Sequence, residues 1–219
     1  IKDNSIDCVI TSPPYWQLRD YGYEGQWGLE PTFNEYLEHL WSLMDELYRV
    51  LKPEGSVWIN LGDTYGTQSG GLRGANTFDP KNREATKKVI EQPKSIHKCL
   101  LLLPHRFAIG CIERGWILRN DCIWAKRNGM PESVTDRFSK KHEYMFFMVK
   151  SEKYFFDLDA IRDKNLTNSN IRNKSVENYG NELHVGVGER EWNNLKGKNP
   201  GDVSDFWDIP TKPSSSKHY

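Results

Sequence analysis

Residues 3–22 read DNSIDCVITSPPYWQLRDYG, and the fold turns on what happens where the apolar run over residues 6–10 meets Ser12-Pro13-Pro14-Tyr15-Trp16. Proline has no N–H, has a fixed φ, and drives the residue before it out of the helical region, so this segment continues neither as helix nor as central strand. It leaves a sheet as a stiff, extended turn. Because the prolines donate nothing, the turn's carbonyls are not drawn into a ladder and can face a ligand, while Tyr15 and Trp16 offer flat faces for stacking. Such a turn suits a planar ligand that carries an amino group.

On the N-terminal side, residues 5–10 alternate and then run apolar, predicting a buried strand with Asp3 and Asn4 as turn residues before it. On the other side, Thr32-Phe33-Asn34-Glu35 has the capping-box pattern. Phe33, Tyr36, Leu37, Leu40, Met44, Leu47, Tyr48 and Leu51 then recur at helical spacing until Pro53-Glu54-Gly55 stops them. Residues 56–60 predict a second strand ending at Leu61-Gly62-Asp63, so strand, turn, long helix and strand make a right-handed βαβ unit with parallel pairing. The class is α/β.

Residues 64–92 are rich in Gly, Asn, Lys and Thr without periodicity, which predicts a long insertion loop. Pro104 opens a second helix, with Phe107, Ala108, Cys111 and Ile112 on one face and Gly115 as its stop. Residues 116–124 and 143–149 predict two further strands and residues 154–157 a short third, with a polar loop over 125–141. After Arg162 the chain is Asn-, Lys- and Gly-rich, and residues 163–204 read as an irregular recognition region with Trp192 and Leu195 as apolar anchors. Residues 205–210 restore order before a Ser-containing tail. The expected division is therefore 1–162, 163–204 and 205–219.

A chain of 219 residues is long enough for one sizeable core. Hydrophobic residues at 37% and thirty charges of each sign describe a globular protein, and the apolar run over 100–103 is far too short to span a bilayer. No signal segment opens the chain, so the expected location is the cytoplasm. Cys8, Cys99, Cys111 and Cys122 are widely spaced without a CxxC pair, and the histidines lack ligand spacing, so reduced thiols and no protein-bound metal are expected. A net charge of zero leaves nucleic acid open as a partner, since a local basic face makes phosphate contacts.

An exocyclic amine on a nucleobase is a poor nucleophile because its lone pair is delocalised into the ring. A site that alkylates it must draw the nitrogen toward tetrahedral geometry. The Ser12 hydroxyl and the Pro13 carbonyl can each accept one N–H while Tyr15 stacks on the ring, so that positioning carries most of the catalysis and no covalent enzyme intermediate is needed.

Ser12-Pro13-Pro14-Tyr15, preceded by Asp7-Cys8-Val9-Ile10-Thr11, resembles motif IV of the amino-group DNA methyltransferases, which use S-adenosylmethionine to methylate cytosine N4 or adenine N6. The neighbours agree in order and spacing: Arg19-Asp20-Tyr21-Gly22, the helix running into Leu51-Lys52-Pro53-Glu54-Gly55, and Trp58-Ile59-Asn60-Leu61-Gly62-Asp63. Farther on, Arg114-Gly115-Trp116-Ile117-Leu118-Arg119-Asn120-Asp121, the stretch over 123–133, Asp136-Arg137-Phe138 and His142-Glu143-Tyr144 resemble the motif VIII region that lines the target-base pocket. The likeness runs through residues 4–156 and more faintly through 205–219. In the β-class order, a catalytic half is followed by target recognition and then by a cofactor half with an FxGxG loop. No FxGxG appears here, and Gly186-Val187-Gly188 follows no strand, so the chain reads as a fragment of a Rossmann-like methyltransferase sheet that lacks the cofactor half.

The resemblance implies Ser12, Pro13, Pro14 and Tyr15 as catalytic, Thr11, Asp63 and His218 as cofactor-binding, and Trp16, Lys126, Asn128, Pro131 and Arg137 as substrate-binding. Trp16 serves equally as core, Asp63 equally as a helix cap, and Lys126, Asn128 and Arg137 equally as a solvated face. Glu143 is expected to brace its loop through an arginine. Arg162, Lys164, Arg172 and Lys174, among Asn168, Asn170 and Asn173, fit either a DNA-facing stretch or a linker. Ser at the motif's first position goes more often with cytosine, which makes cytosine N4 the expected target and adenine N6 the alternative. A C5-cytosine enzyme is disfavoured, since no Cys follows a Pro. Duplex DNA as substrate implies base flipping. A non-catalytic DNA-binding module stays open, as does a restriction endonuclease counterpart.

Overall fold

The computed structural model describes residues 1–66, 96–129, 131–162 and 204–210. Two compact units divide the chain: Ile1–Phe155 with the segment from Asp205 onward, and Phe156–Ser204. In the second, the described residues include a single 3-10 turn over Asp159–Ile161. The sheet and both α-helices belong to the first.

Strand β1 (Ile6–Thr11) stops where Pro13 removes the next ladder donor. Helix α1 (Phe33–Val50) starts on the Thr32 cap, and both capping-box bonds form: Glu35 N–H donates to the Thr32 hydroxyl, and the Glu35 carboxylate accepts from Thr32 N–H. Strand β2 (Leu51–Leu61) follows with no intervening turn. The residues read as a stop, Pro53-Glu54-Gly55, are instead absorbed in an irregularity of the parallel β1–β2 ladder: Ile6 pairs with Leu51 and Cys8 with Ser56. A proline that cannot donate is tolerated at such a bulge.

Helix α2 (Leu103–Glu113) carries Pro104 in its first turn, and β3 (Ile117–Ala125), β4 (His142–Val149) and the short β5 (Phe206–Asp208) complete a five-stranded sheet in the order β1-β2-β4-β3-β5. The β1–β2 and β3–β5 pairs are parallel, while β2–β4 and β4–β3 are antiparallel. Residues 154–157 form no strand. There the Phe155 N–H donates to Glu54 O, a single loop contact rather than a ladder.

The two helices cover one face of the sheet. Tyr36, Leu37, Leu40 and Met44 of α1 and Phe107, Ala108 and Cys111 of α2 bury against Val57, Ile59 and Leu61 of β2 and Phe146 and Met148 of β4. The alternation of β2 puts Trp58 on the opposite face, where it stacks on Phe147 at 4.3 Å. The apolar run predicts a buried β1, yet it is the edge strand of the described sheet, and Ile10, in register with Trp58, is 72% exposed on the face that the two helices do not cover. Among the described residues no helix is long and apolar enough to cross a membrane.

Candidate active site

The carboxyl ends of parallel strands are where α/β sheets bind ligands, and the Pro-Pro turn leaves β1 at that end, beside the end of β2. Its shape is held from below. The Tyr36 hydroxyl of α1 donates to Pro14 O at 3.0 Å, and Gln17 N–H donates to Gly28 O at 2.6 Å. Gly28 has φ +92°, and a Cβ there would meet Tyr15 O at 2.9 Å and Pro14 Cβ at 3.3 Å, so both backbone and space demand glycine. Among the described residues nothing donates to the Pro13 carbonyl.

Tyr15 is fixed at its far end. Its hydroxyl lies 2.8 Å from Asn60 Oδ1 and 3.0 Å from Glu143 Oε2, two acceptors that share one proton. Burial first, and the Glu143 charge next, raise the Tyr15 phenol above its ordinary value, so it remains a donor. Asn60 is a buried amide, 6% exposed, and its Nδ2 donates to Tyr144 O at 3.1 Å. That bond turns Oδ1 toward the turn, where Ser12 Oγ stands 3.5 Å away, at the outer limit of a hydrogen bond. One amide therefore orients both polar side chains of the turn. Ser12 is exposed. A serine that donates to Asn60 presents its lone pairs outward as acceptors.

Glu143 does brace, though its partners differ from the expected arginine: they are Tyr15 and Lys126, with which it forms an ion pair. Lys126, a substrate candidate, thus has its charge committed inside the site. Arg137, another, pairs with Glu132 and lies 3.9 Å over the Tyr65 ring. Asn128 and Pro131 are exposed on the same loop. Trp16 is corrected to a core residue: it is 4% exposed, donates from Nε1 to Glu30 O at 3.0 Å and meets Phe33 edge-on, which leaves it no face for a substrate.

Of the cofactor candidates, Thr11 closes β1 opposite Ile59. Asp63 Oδ1 accepts from Thr64 N–H at 2.8 Å and from Leu103 N–H at 3.1 Å, and so caps α2, whose N-cap residue Leu102 offers no side-chain acceptor. Its second oxygen, Oδ2, is buried without a partner. His218 lies outside the described residues. The turn, Asn60, Glu143 and Lys126 are thereby brought together, with Asp63 next to the Gly62 that touches the Tyr15 ring. Sequence reasoning missed Asn60. Its signal was a polar residue inside an otherwise apolar strand, which a fold retains only where it is hydrogen-bonded.

Comparisons with known proteins show the family. A family model described as DNA methylase, of the N6/N4 type, matches residues 6–219. Type II methyltransferase M.Cfr9I of Citrobacter freundii is 37% identical over 188 residues, which cover 85% of this chain and 62% of that protein. Type II methyltransferase M.XycI of Xanthomonas campestris pv. cyanopsidis is 44% identical over 165 residues, covering 74% of this chain and 54% of that one. Among solved structures, PvuII DNA methyltransferase (cytosine-N4-specific) overlaps 72% of this chain and 46% of its own at 21% identity, with a TM-score of 0.49. The chain thus spans 62% and 54% of the lengths of the two relatives. Because the family model runs from the first strand through the turn to residue 219, the chain belongs to the N6/N4 DNA methylase family.

Proposed function

We propose that the protein carrying this chain transfers a methyl group to the exocyclic N4 amine of cytosine in DNA. The observation that supports it most is the pair of bonds from one amide: Asn60 Oδ1 faces both Ser12 Oγ and Tyr15 Oη, which turns the motif into an acceptor beside a fixed aromatic ring. A flipped base stacked on Tyr15 would place its amine between Ser12 Oγ and the Pro13 carbonyl, each taking one N–H. Those two bonds draw the nitrogen out of conjugation, and its lone pair is then free to attack. The nitrogen forms the new N–C bond as the methyl's bond to its donor breaks, and one N–H proton is then released to solvent past the Ser12 and Pro13 acceptors. Cytosine is favoured over adenine by Ser12 at the motif's first position, a tendency of the family that the chain resembles.

As a member of this family the chain forms part of a Rossmann-like methyltransferase sheet whose cofactor is S-adenosylmethionine, which supplies an electrophilic methyl on a sulfonium. The residues fit that group at one point: the buried, unpartnered Asp63 Oδ2 is an acceptor waiting for an amine or hydroxyl, and Thr11 stands at the end of the adjoining strand. These two would hold the cofactor. DNA is the proposed partner, and a restriction endonuclease reading the same site is its proposed counterpart. The reading is tested by nucleoside analysis of duplex DNA after methyl transfer by the full-length protein. N4-methylcytosine is expected; N6-methyladenine would overturn the choice of base, and DNA binding without transfer would favour a non-catalytic module.

A further inference from the structure

The loop over residues 126–141 carries a feature that the chemistry above does not use. Phe138 is 95% exposed, the most exposed large apolar side chain among the described residues. A loop free to rearrange would fold such a ring against the surface, since its exposure to water is unfavourable. This loop is held. Lys126 N–H donates to Lys141 O at 2.7 Å at its base, and Glu132 N–H donates to Ser139 Oγ at 3.2 Å across it. Arg137 is fixed by Glu132, by Phe138 O at 3.0 Å and by the Tyr65 ring, while Lys98 pairs with Asp136 at 2.5 Å and Lys140 donates to the Asp63 carbonyl. Its two chain neighbours, Arg137 and Ser139, are therefore both held by hydrogen bonds, while the apolar Phe138 ring projects between them.

The loop that carries it borders the turn. Lys140 rests on Asp63, whose neighbour Gly62 packs against the Tyr15 ring, and the loop's first residue, Lys126, is paired to the Glu143 that holds the Tyr15 hydroxyl. Lys98 and Arg137, the cations flanking the tip, are matched by Asp136 and Glu132, so the tip offers an apolar ring rather than a charge for phosphate. We propose that Phe138 enters the base stack of duplex DNA and occupies the gap left when the target base swings into the Tyr15 turn. Apolar wedges placed between base steps are a general means of holding a duplex open. The inference rests on the proposed methylation of a flipped base and adds the residue that keeps it flipped.

The test compares the full-length protein with its Phe138→Ala and Phe138→Trp variants on a normal duplex and on a duplex whose target base faces an abasic site, where unpairing is already accomplished. Phe138→Ala should lose about 10- to 100-fold in kcat/KM on the normal duplex, the range that base–aromatic stacking supports. It should stay within about threefold of the parent on the abasic duplex. Phe138→Trp should keep activity on both. In parallel, 2-aminopurine placed next to the target reports unstacking on binding, with or without methyl transfer; its fluorescence should rise with the parent and not with Phe138→Ala. Equal losses on both duplexes, no loss on either, or an unchanged fluorescence rise in Phe138→Ala would overturn the proposal. A parent that transfers no methyl yet gives the Phe138-dependent rise would fail the reaction and keep the wedge.

Discussion

Gly62→Ala puts the site's geometry under the sharpest strain. A Cβ at position 62 would lie 2.8 Å from Tyr15 Cε2 and 3.2 Å from Cδ2, with Glu143 Cγ at 3.5 Å behind it. Ordinary carbon contacts begin near 3.5 Å, so the ring must retreat by about 0.7 Å. It is not free to do so, because its hydroxyl is held by Asn60 at 2.8 Å and Glu143 at 3.0 Å, and a shift of about 0.7 Å away from both would stretch the first to the outer limit of a hydrogen bond and break the second. Displacing a positioning group by about 1 Å costs roughly 10²-fold in rate. Overpacking itself costs about 1–3 kcal/mol of stability. The backbone raises no objection, since Gly62 lacks the positive φ that excludes a side chain, and the loss of unfolded-state freedom alone would stabilise by about 0.4–1 kcal/mol. Steady-state methyl transfer by the full-length protein, read beside its thermal melting, separates these terms: kcat should fall by about 30- to 100-fold, with a lowered or level Tm. In a Tyr15→Ala background the same change should cost almost nothing further, because the clash has been removed. An unchanged kcat with a raised Tm would refute the packing argument.

Other outcomes follow from the same contacts. Asn60→Ala leaves the Tyr144 carbonyl, the Tyr15 hydroxyl and Ser12 without their shared partner, and should cost about 1–3 kcal/mol in denaturant unfolding with a loss of at least about tenfold in kcat. Burial raises the Tyr15 and Tyr36 phenols above the ordinary value of 10.0, so the folded state keeps protons that the unfolded chain releases. The stability this gives is fully present below pH 10 and drains away as pH rises above it. Equilibrium unfolding between pH 8 and pH 11 should show that fall, and a Tyr15→Phe, Tyr36→Phe double variant should show less of it. Cys8 and Cys99 are exposed whereas Cys111 and Cys122 are buried, with the Cys122 thiol pushed up to about 11 by burial, Asp205 and Asp121. A thiol reagent at pH 8 should therefore label Cys8 and Cys99 quickly in the native protein, and Cys111 and Cys122 only after unfolding.

What could be read from the sequence was local. The Thr32–Glu35 capping box, the helical spacing after it and the double proline that ends β1 are short-range signals, and each forms as expected. Pro53-Glu54-Gly55 has the composition of a stop, and only the ladder with β1 shows it to be a bulge. The edge position of β1 depends on which strand lies beside it, which no run of residues within the strand reveals. In the site, the turn was visible because its residue types are unusual. Its anchors were not: Asn60 and Glu143 come from strands far along the chain and become site residues only through the β2–β4 register. Lys126 and Arg137 looked like ligand contacts because charge in a loop is ambiguous until its partner is known.

In the proposed reaction Ser12 accepts the amine while Asn60 holds it in that role. Single-turnover transfer of labelled methyl to duplex DNA, by the full-length protein and its Ser12→Ala variant, tests this most directly. Removing one preorganised polar contact of this kind costs about 10²–10³-fold in rate, so the variant should fall by at least about 10²-fold while binding DNA as before and melting at the parent's temperature. A variant that transfers methyl at the parent's rate would contradict the claim.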